Sequence, residues 1–166
     1  MKKTTRMHPA SLRITALTAC ALLTVSACTA PALLPDDPFD SSEPGLTLVP
    51  INHTDRYALN VFADKYWAGD APPHNDGAGA ACCYPGLKDW RKPVTVRWTW
   101  GTESDPETQT VLKPREQHTT VVHFPRAPYR DDDDMSKDEA YLCVILRDTD
   151  RAELAFSTSG TGCAKK

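Results

Sequence analysis

Pro93-Val94-Thr95-Val96-Arg97-Trp98-Thr99-Trp100 is the stretch on which the fold turns. Apolar residues occupy every second position, with Thr95, Arg97 and Thr99 between them. Successive side chains of a strand point to opposite faces, so this period places Val94, Val96, Trp98 and Trp100 on one side. Indole rings supply large buried area, and the pair is read as core. Residues 119–124 (TTVVHF) form a second such strand, with His118 and His123 directed to opposite faces. In residues 57–63 (YALNVFA), Tyr57, Leu59, Val61 and Ala63 are expected on one face. Residues 46–51 alternate only at their start. Residues 80–84 read as a short strand, and 153–157 as a last one. Residues 139–146 (EAYLCVIL) read as a buried strand or a short helix leading into one. Residues 52–55, 71–79, 103–117 and 125–137 are rich in turn and polar types and read as loops, with one helical turn in 103–117. Short β-type runs between turns predict a mainly β domain: an antiparallel β-sandwich or small barrel with few short helical turns, stapled by disulfides.

The start of the chain has a different character. Lys2, Lys3, Arg6 and Arg13 precede residues 14–27, an uncharged run of small and apolar side chains. That run is too short to span a bilayer, which takes about 20 residues. It reads as a secretory leader over residues 1–27. Val25-Ser26-Ala27-Cys28 resembles the bacterial lipobox, so cleavage before Cys28 and lipidation of its thiol, palmitate included, are expected. Each buried lipid CH₂ contributes about 0.8 kcal/mol, and more than one chain makes the anchor stable. Thr29 stands where an Asp would signal inner-membrane retention in enterobacteria, which favours the periplasmic face of the outer membrane. Residues 28–45 are rich in Pro, Asp and Ser and read as a lipidated extended linker, up to roughly 50 Å long at about 3.1 Å per residue. Residues 46–166 are expected to form one periplasmic domain.

Loss of the four leader cations lowers the 19 Lys and Arg to 15 against 22 Asp and Glu, a formal net charge of −7 for the remainder. An acidic domain repels nucleic acid and anionic headgroups. Cys82, Cys83, Cys143 and Cys163 remain, an even number in an oxidising compartment, so disulfides are the default. A vicinal bridge is strained. One member of the Cys82 and Cys83 pair is therefore expected to bond Cys143, and the other Cys163. A zinc set of His74, Cys82 and Cys83 is the rival, but its spacing matches no metal motif.

No G-x-S-x-G elbow, H-E-x-x-H or phosphate-cradling glycine loop occurs. His53 and Asp55 make a weak dyad, better read as turn-forming polar residues. Asp131, Asp132, Asp133 and Asp134 fail as a calcium loop, because Ser136 stands where the glycine belongs. Neither an enzyme nor a cofactor or metal is expected. Binding residues concentrate in loops. The candidates for contacting a protein partner are Tyr66, Trp67, His74, Asn75, Asp76, Asp131, Asp132, Asp133 and Asp134.

Asn52-His53-Thr54-Asp55-Arg56-Tyr57, Trp67-Ala68-Gly69, Pro73-His74, Gly77, Gly79, Cys82-Cys83, Trp90 and Val96-Arg97-Trp98 follow in order. Over about residues 46–146 this series resembles a family of proteobacterial envelope lipoproteins grouped as domain of unknown function thirty-three-oh-four. Some of its members resemble immunity proteins encoded beside phospholipase effectors of the type VI secretion system. The resemblance implies a membrane-anchored periplasmic protein that binds and neutralises such a toxin. A general envelope lipoprotein with a structural or assembly role is the alternative.

Overall fold

The computed structural model describes residues 44–75, 77, 79–87 and 89–166. The expected leader over residues 1–27, Cys28, most of the expected linker and Asp76 lie outside them. The strands are β1 Leu46–Asn52, β2 Ala58–Ala63, β3 Tyr66–Ala71, β4 Ala81–Tyr84, β5 Pro93–Trp100, β6 Glu103–Ser104, β7 Val111–Lys113, β8 Glu116–His123, β9 Tyr141–Leu146 and β10 Ala152–Ser157. A 3-10 turn covers Met135–Lys137, and a short helix, α1, covers Gly160–Cys163.

β5 has the bounds and the phase that its alternation predicts, with Val94, Val96, Trp98 and Trp100 buried. It lies inside a four-stranded sheet of order β3-β2-β5-β8. A second sheet, of order β10-β9-β1-β4, faces it. Leu46, Leu48, Leu142, Val144, Leu146, Leu154 and Phe156 of that sheet join the tryptophans in one core. The mainly β sandwich is therefore as expected, and it does not close into a barrel. Its pairings are antiparallel except β1 with β9, which run parallel from Thr47↔Tyr141 to Asn52↔Leu146.

β1 alternates poorly because both its faces are covered. Leu46 and Leu48 enter the main core. Val49 and Ile51 join Cys143, Ile145 and Cys163 in a second cluster on the outer side of the sheet. A strand buried on both faces reads as a continuous apolar run. Gly77 presses on this second cluster: at its φ of +82°, a Cβ would lie 2.9 Å from Ile51 Cδ1 and 3.2 Å from Val49 Cγ1.

Three expectations are corrected. Tyr57 and Leu59 do not share a face with Val61 and Ala63. Asn60 adopts φ 52°, a β-bulge interrupts the register, and Ala58, Val61 and Ala63 are the buried residues. The extra residue in a bulge inverts the facing of every residue after it in the strand. Residues 103–117 are not a loop with a helical turn: they hold the β6–β7 ribbon and the start of β8. Finally, Cys143 is bonded to Cys163, and Cys82 to Cys83. β1 separates β4 from β9, so the cysteines of those two strands lie two strand spacings apart, about 9.5 Å, beyond the Cα separation of a disulfide. The Cys143–Cys163 bridge pins the C-terminal segment over the second cluster. It closes a loop between residues 20 positions apart, and Cys163→Ala is expected to cost about 3 kcal/mol in urea unfolding.

Candidate interaction surfaces

The end of the sandwich at which β1 finishes is built by the Asn52-to-Tyr57 stretch. Asn52 is fully buried, and its Nδ2 donates to the carbonyls of Arg56 (2.6 Å), Ala71 (3.0 Å) and Pro72 (3.1 Å). Its Oδ1 accepts from the Thr54 backbone N–H and hydroxyl. Arg56, also buried, donates through Nη2 to Gly101 O (2.9 Å) and Pro114 O (2.7 Å). Glu103 and Glu116 lie 3.4 and 3.5 Å from its guanidinium, which sits over the Trp100 ring. Asn52 and Arg56 are thus the residues that tie the loops of this pole together.

His53 and Asp55 do not form a dyad. His53 Nδ1 meets Arg147 Nη1 at 3.0 Å, and Asp55 pairs with His74 Nε2 at 2.6 Å on the exposed surface. Asn75 is buried, not presented: its N–H donates to Asn52 O and its Nδ2 to Pro50 O. His118 is half-buried and stacks on Trp98, with Asp150 2.9 Å from Nδ1, whereas His123 on the same strand is exposed. The zinc set of His74, Cys82 and Cys83 is not assembled, and among the described residues no three His, Cys, Asp or Glu side chains gather as metal ligands.

At the opposite pole, Asp131 and Asp134 hold their own turn. Asp131 Oδ1 accepts the N–H groups of Asp133 and Asp134; Asp134 Oδ1 accepts the Ser136 N–H and hydroxyl. Those donors hold both carboxyls below the usual carboxylate range, chiefly the Asp133 N–H for Asp131 and the Ser136 hydroxyl for Asp134, with Lys137 adding to each. Asp132 and Asp133 point to solvent. The segment is clamped by Glu139, whose carboxylate receives both Arg126 Nη atoms (2.6 and 2.7 Å) and the Tyr129 N–H, and is likewise held low, first by Arg126. An open cavity of about 540 Å³ beside Arg126, Tyr129 and Lys137 is left with its arginine already engaged.

The two sheets differ on their outer sides. That of β10-β9-β1-β4 is covered over β1 and β9 by Gly77 and the Cys163 segment. That of β3-β2-β5-β8 carries Trp67, 51% exposed, opposite Phe62, which in turn lies opposite Arg97. The Arg97 guanidinium is 5.2 Å from the centre of the Phe62 ring. Leu59 faces Thr99 across β2 and β5, and exposed Val121 faces Thr95 across β5 and β8. Tyr57 continues the column beyond β2 and is also exposed. Trp67 is thus on a strand rather than a loop; its neighbour Tyr66 turns inward against the core, edge-to-face with Tyr84 at 5.3 Å. Phe62 and Arg97 were absent from the sequence-derived candidates. Their only signal is that alternation places Arg97 on the face of β5 away from the tryptophans.

Residues 51–138 match a family model described as a protein of unknown function (DUF3304). No curated protein and no solved structure matches the chain.

Proposed function

We infer a function from the premise that this chain belongs to the DUF3304 family, and propose that it is a lipid-anchored periplasmic protein that binds and neutralises a phospholipase effector of type VI secretion. The Val25-Ser26-Ala27-Cys28 lipobox supports the anchor and the compartment. The resemblance of the Asn52-to-Trp98 series to immunity lipoproteins supports the partner class. One structural observation carries the binding role: one outer sheet face is covered over β1 and β9 by the chain itself, and the other presents Trp67 to solvent with half-buried Phe62 and Arg97 beside it. Trp and Arg dominate binding energy in protein interfaces, and a rigid sheet presents them without an ordering cost. Action is by occlusion, without turnover. The exposed Asp55 and His74 pair has the Thr54 hydroxyl in its turn, but that hydroxyl is committed to Asn52 Oδ1.

The test is periplasmic expression of the phospholipase effector that this proposal expects to be encoded beside this gene. Wild-type chain is expected to restore growth. The Trp67→Ala, Arg97→Ala double variant is expected to bind at least about 30-fold more weakly, the equivalent of one hot-spot loss of 2 kcal/mol, and to protect poorly. Cys28→Ser is expected to abolish palmitate labelling and membrane fractionation. Equal killing with and without the wild-type chain rejects the immunity role. An envelope defect on deletion, without any protection, points instead to a structural lipoprotein.

A further inference from the structure

We propose that the Cys82–Cys83 pair is a thiol–disulfide exchange site that takes two electrons from a dithiol at the protein surface, whereas Cys143–Cys163 is a structural bridge. The inference is independent of the immunity reading and of the open sheet face.

The two bridges differ in what they can do for the fold. Cys143–Cys163 joins residues 20 positions apart and is fully buried with Val49, Ile51 and Ile145. A disulfide stabilises chiefly by closing a loop of the unfolded chain. Cys82–Cys83 joins neighbours in sequence and closes no loop, so it lacks this contribution. It also ties no two elements together, since both cysteines belong to β4.

Its surroundings suit chemistry instead. Both cysteines are exposed. β4 is an edge strand, hydrogen-bonded on one side only, to β1. The register shifts between Leu46↔Tyr84 and Leu48↔Ala81, so Cys82 and Cys83 stand together opposite Thr47 as a bulge. A bulge re-aims side chains out of the ladder. Its flanks are held: Ala81 pairs with Leu48, and Tyr84 is buried, its hydroxyl donating to Asp64 Oδ2 at 2.9 Å. The bond can therefore open while β4 stays in its sheet. The two thiols remain neighbours, so closing it again is intramolecular. Exchange requires a thiolate to reach a sulfur, which makes exposed disulfides the labile class and buried ones resistant.

The backbone of Gly45 packs beside Cys83, where a Cβ would lie 3.2 Å from Cys83 Cβ. Cys82 is thus the less crowded sulfur, and the attack falls there. A thiolate of the dithiol bonds to Cys82 Sγ, the Cys82–Cys83 bond breaks, and Cys83 leaves as a thiolate that takes up a proton. The second thiol of the dithiol then attacks its own sulfur in the mixed disulfide and expels Cys82, which is protonated in turn. The dithiol ends as a disulfide, and the pair has gained two electrons and two protons.

The experiment titrates the full-length chain in detergent with dithiothreitol under native conditions, blocks free thiols with N-ethylmaleimide, and reads the peptides by mass spectrometry. Cys82 and Cys83 are expected to be alkylated at a dithiothreitol concentration at least about tenfold below that which opens Cys143–Cys163. Excess oxidised glutathione is expected to restore the Cys82–Cys83 bond, with the melting temperature unchanged throughout. Cys82→Ser with Cys83→Ser is expected to melt with wild type, in contrast to Cys163→Ala. Opening of both bridges at one concentration, or of Cys82–Cys83 only in urea, overturns the proposal. So does a double serine variant that melts well below wild type, which would make the bond a structural one. Free thiols at 82 and 83 that excess oxidised glutathione fails to close overturn it as well.

Discussion

Trp100→Ala is expected to destabilise the protein by about 3–5 kcal/mol, read as a lower urea midpoint at unchanged slope. The indole is fully buried, edge-to-face with Trp98 at 5.9 Å and under the Arg56 guanidinium at 5.8 Å. Its Nε1–H also donates to Thr149 O at 2.9 Å, tying the β9–β10 turn of one sheet to the other. Truncation removes the apolar volume and this tie together. Trp100→Phe separates them: it retains most of the ring, leaves the Thr149 carbonyl to solvent, and is expected to cost only about 1–2 kcal/mol. Hydrogen exchange in Arg147–Arg151 should accelerate in both variants.

Asn52→Ala is expected to cost about 3 kcal/mol although it deletes few atoms. Three carbonyls lose a shared donor, those of Arg56 and Ala71 at buried positions and that of Pro72 at a partly buried one. Each buried acceptor left unpaired costs about 1–3 kcal/mol, with relaxation recovering part. Asn52→Asp is the sharper version. It preserves shape but turns a carboxylate oxygen toward those carbonyls, so the folded protein favours the protonated acid. A carboxyl whose folded pKa is raised binds more protons in the native state; its stability deficit is therefore largest at neutral pH and shrinks as pH falls through the folded pKa. Asn52→Asp should gain stability relative to Asn52→Ala on acidification. Parallel urea curves at pH 7 and pH 5 check the sign.

Both residues sit in stretches that the sequence marks in different ways. Trp100 announces its place, because an alternating strand with one wet face carries its phase in its own residues. β1 and β9 do not, being covered on both sides. The bulge at Asn60 hides the phase of β2: the only local sign is an asparagine, a residue that tolerates positive φ. The β6–β7 ribbon was unreadable because it is wet on every side and buries no periodic face. Cysteine pairing depends on strand order, since whether Cys83 can reach Cys143 is decided by β1 lying between them. The candidate face was half legible. Trp67 stands out by type, but its company with Phe62 and Arg97 comes from the β2–β5 register, which joins positions 35 residues apart and leaves no trace in either segment. Asn52 and Arg56, prominent in the motif, hold the pole together from inside.

Hydroxyl-radical footprinting of the chain with its proposed phospholipase partner addresses the binding face most directly, because exposed reporters lie on both candidate sides. Trp67 and Tyr57 report the open sheet face, and Tyr129 and Met135 the acidic loop at the other pole. Oxidation of Trp67 and Tyr57 should fall several-fold on complex formation, with Tyr129 and Met135 unchanged. Protection of Tyr129 and Met135, with Trp67 still oxidised at the rate of the free protein, would move the interface to the acidic loop and contradict the open-face assignment.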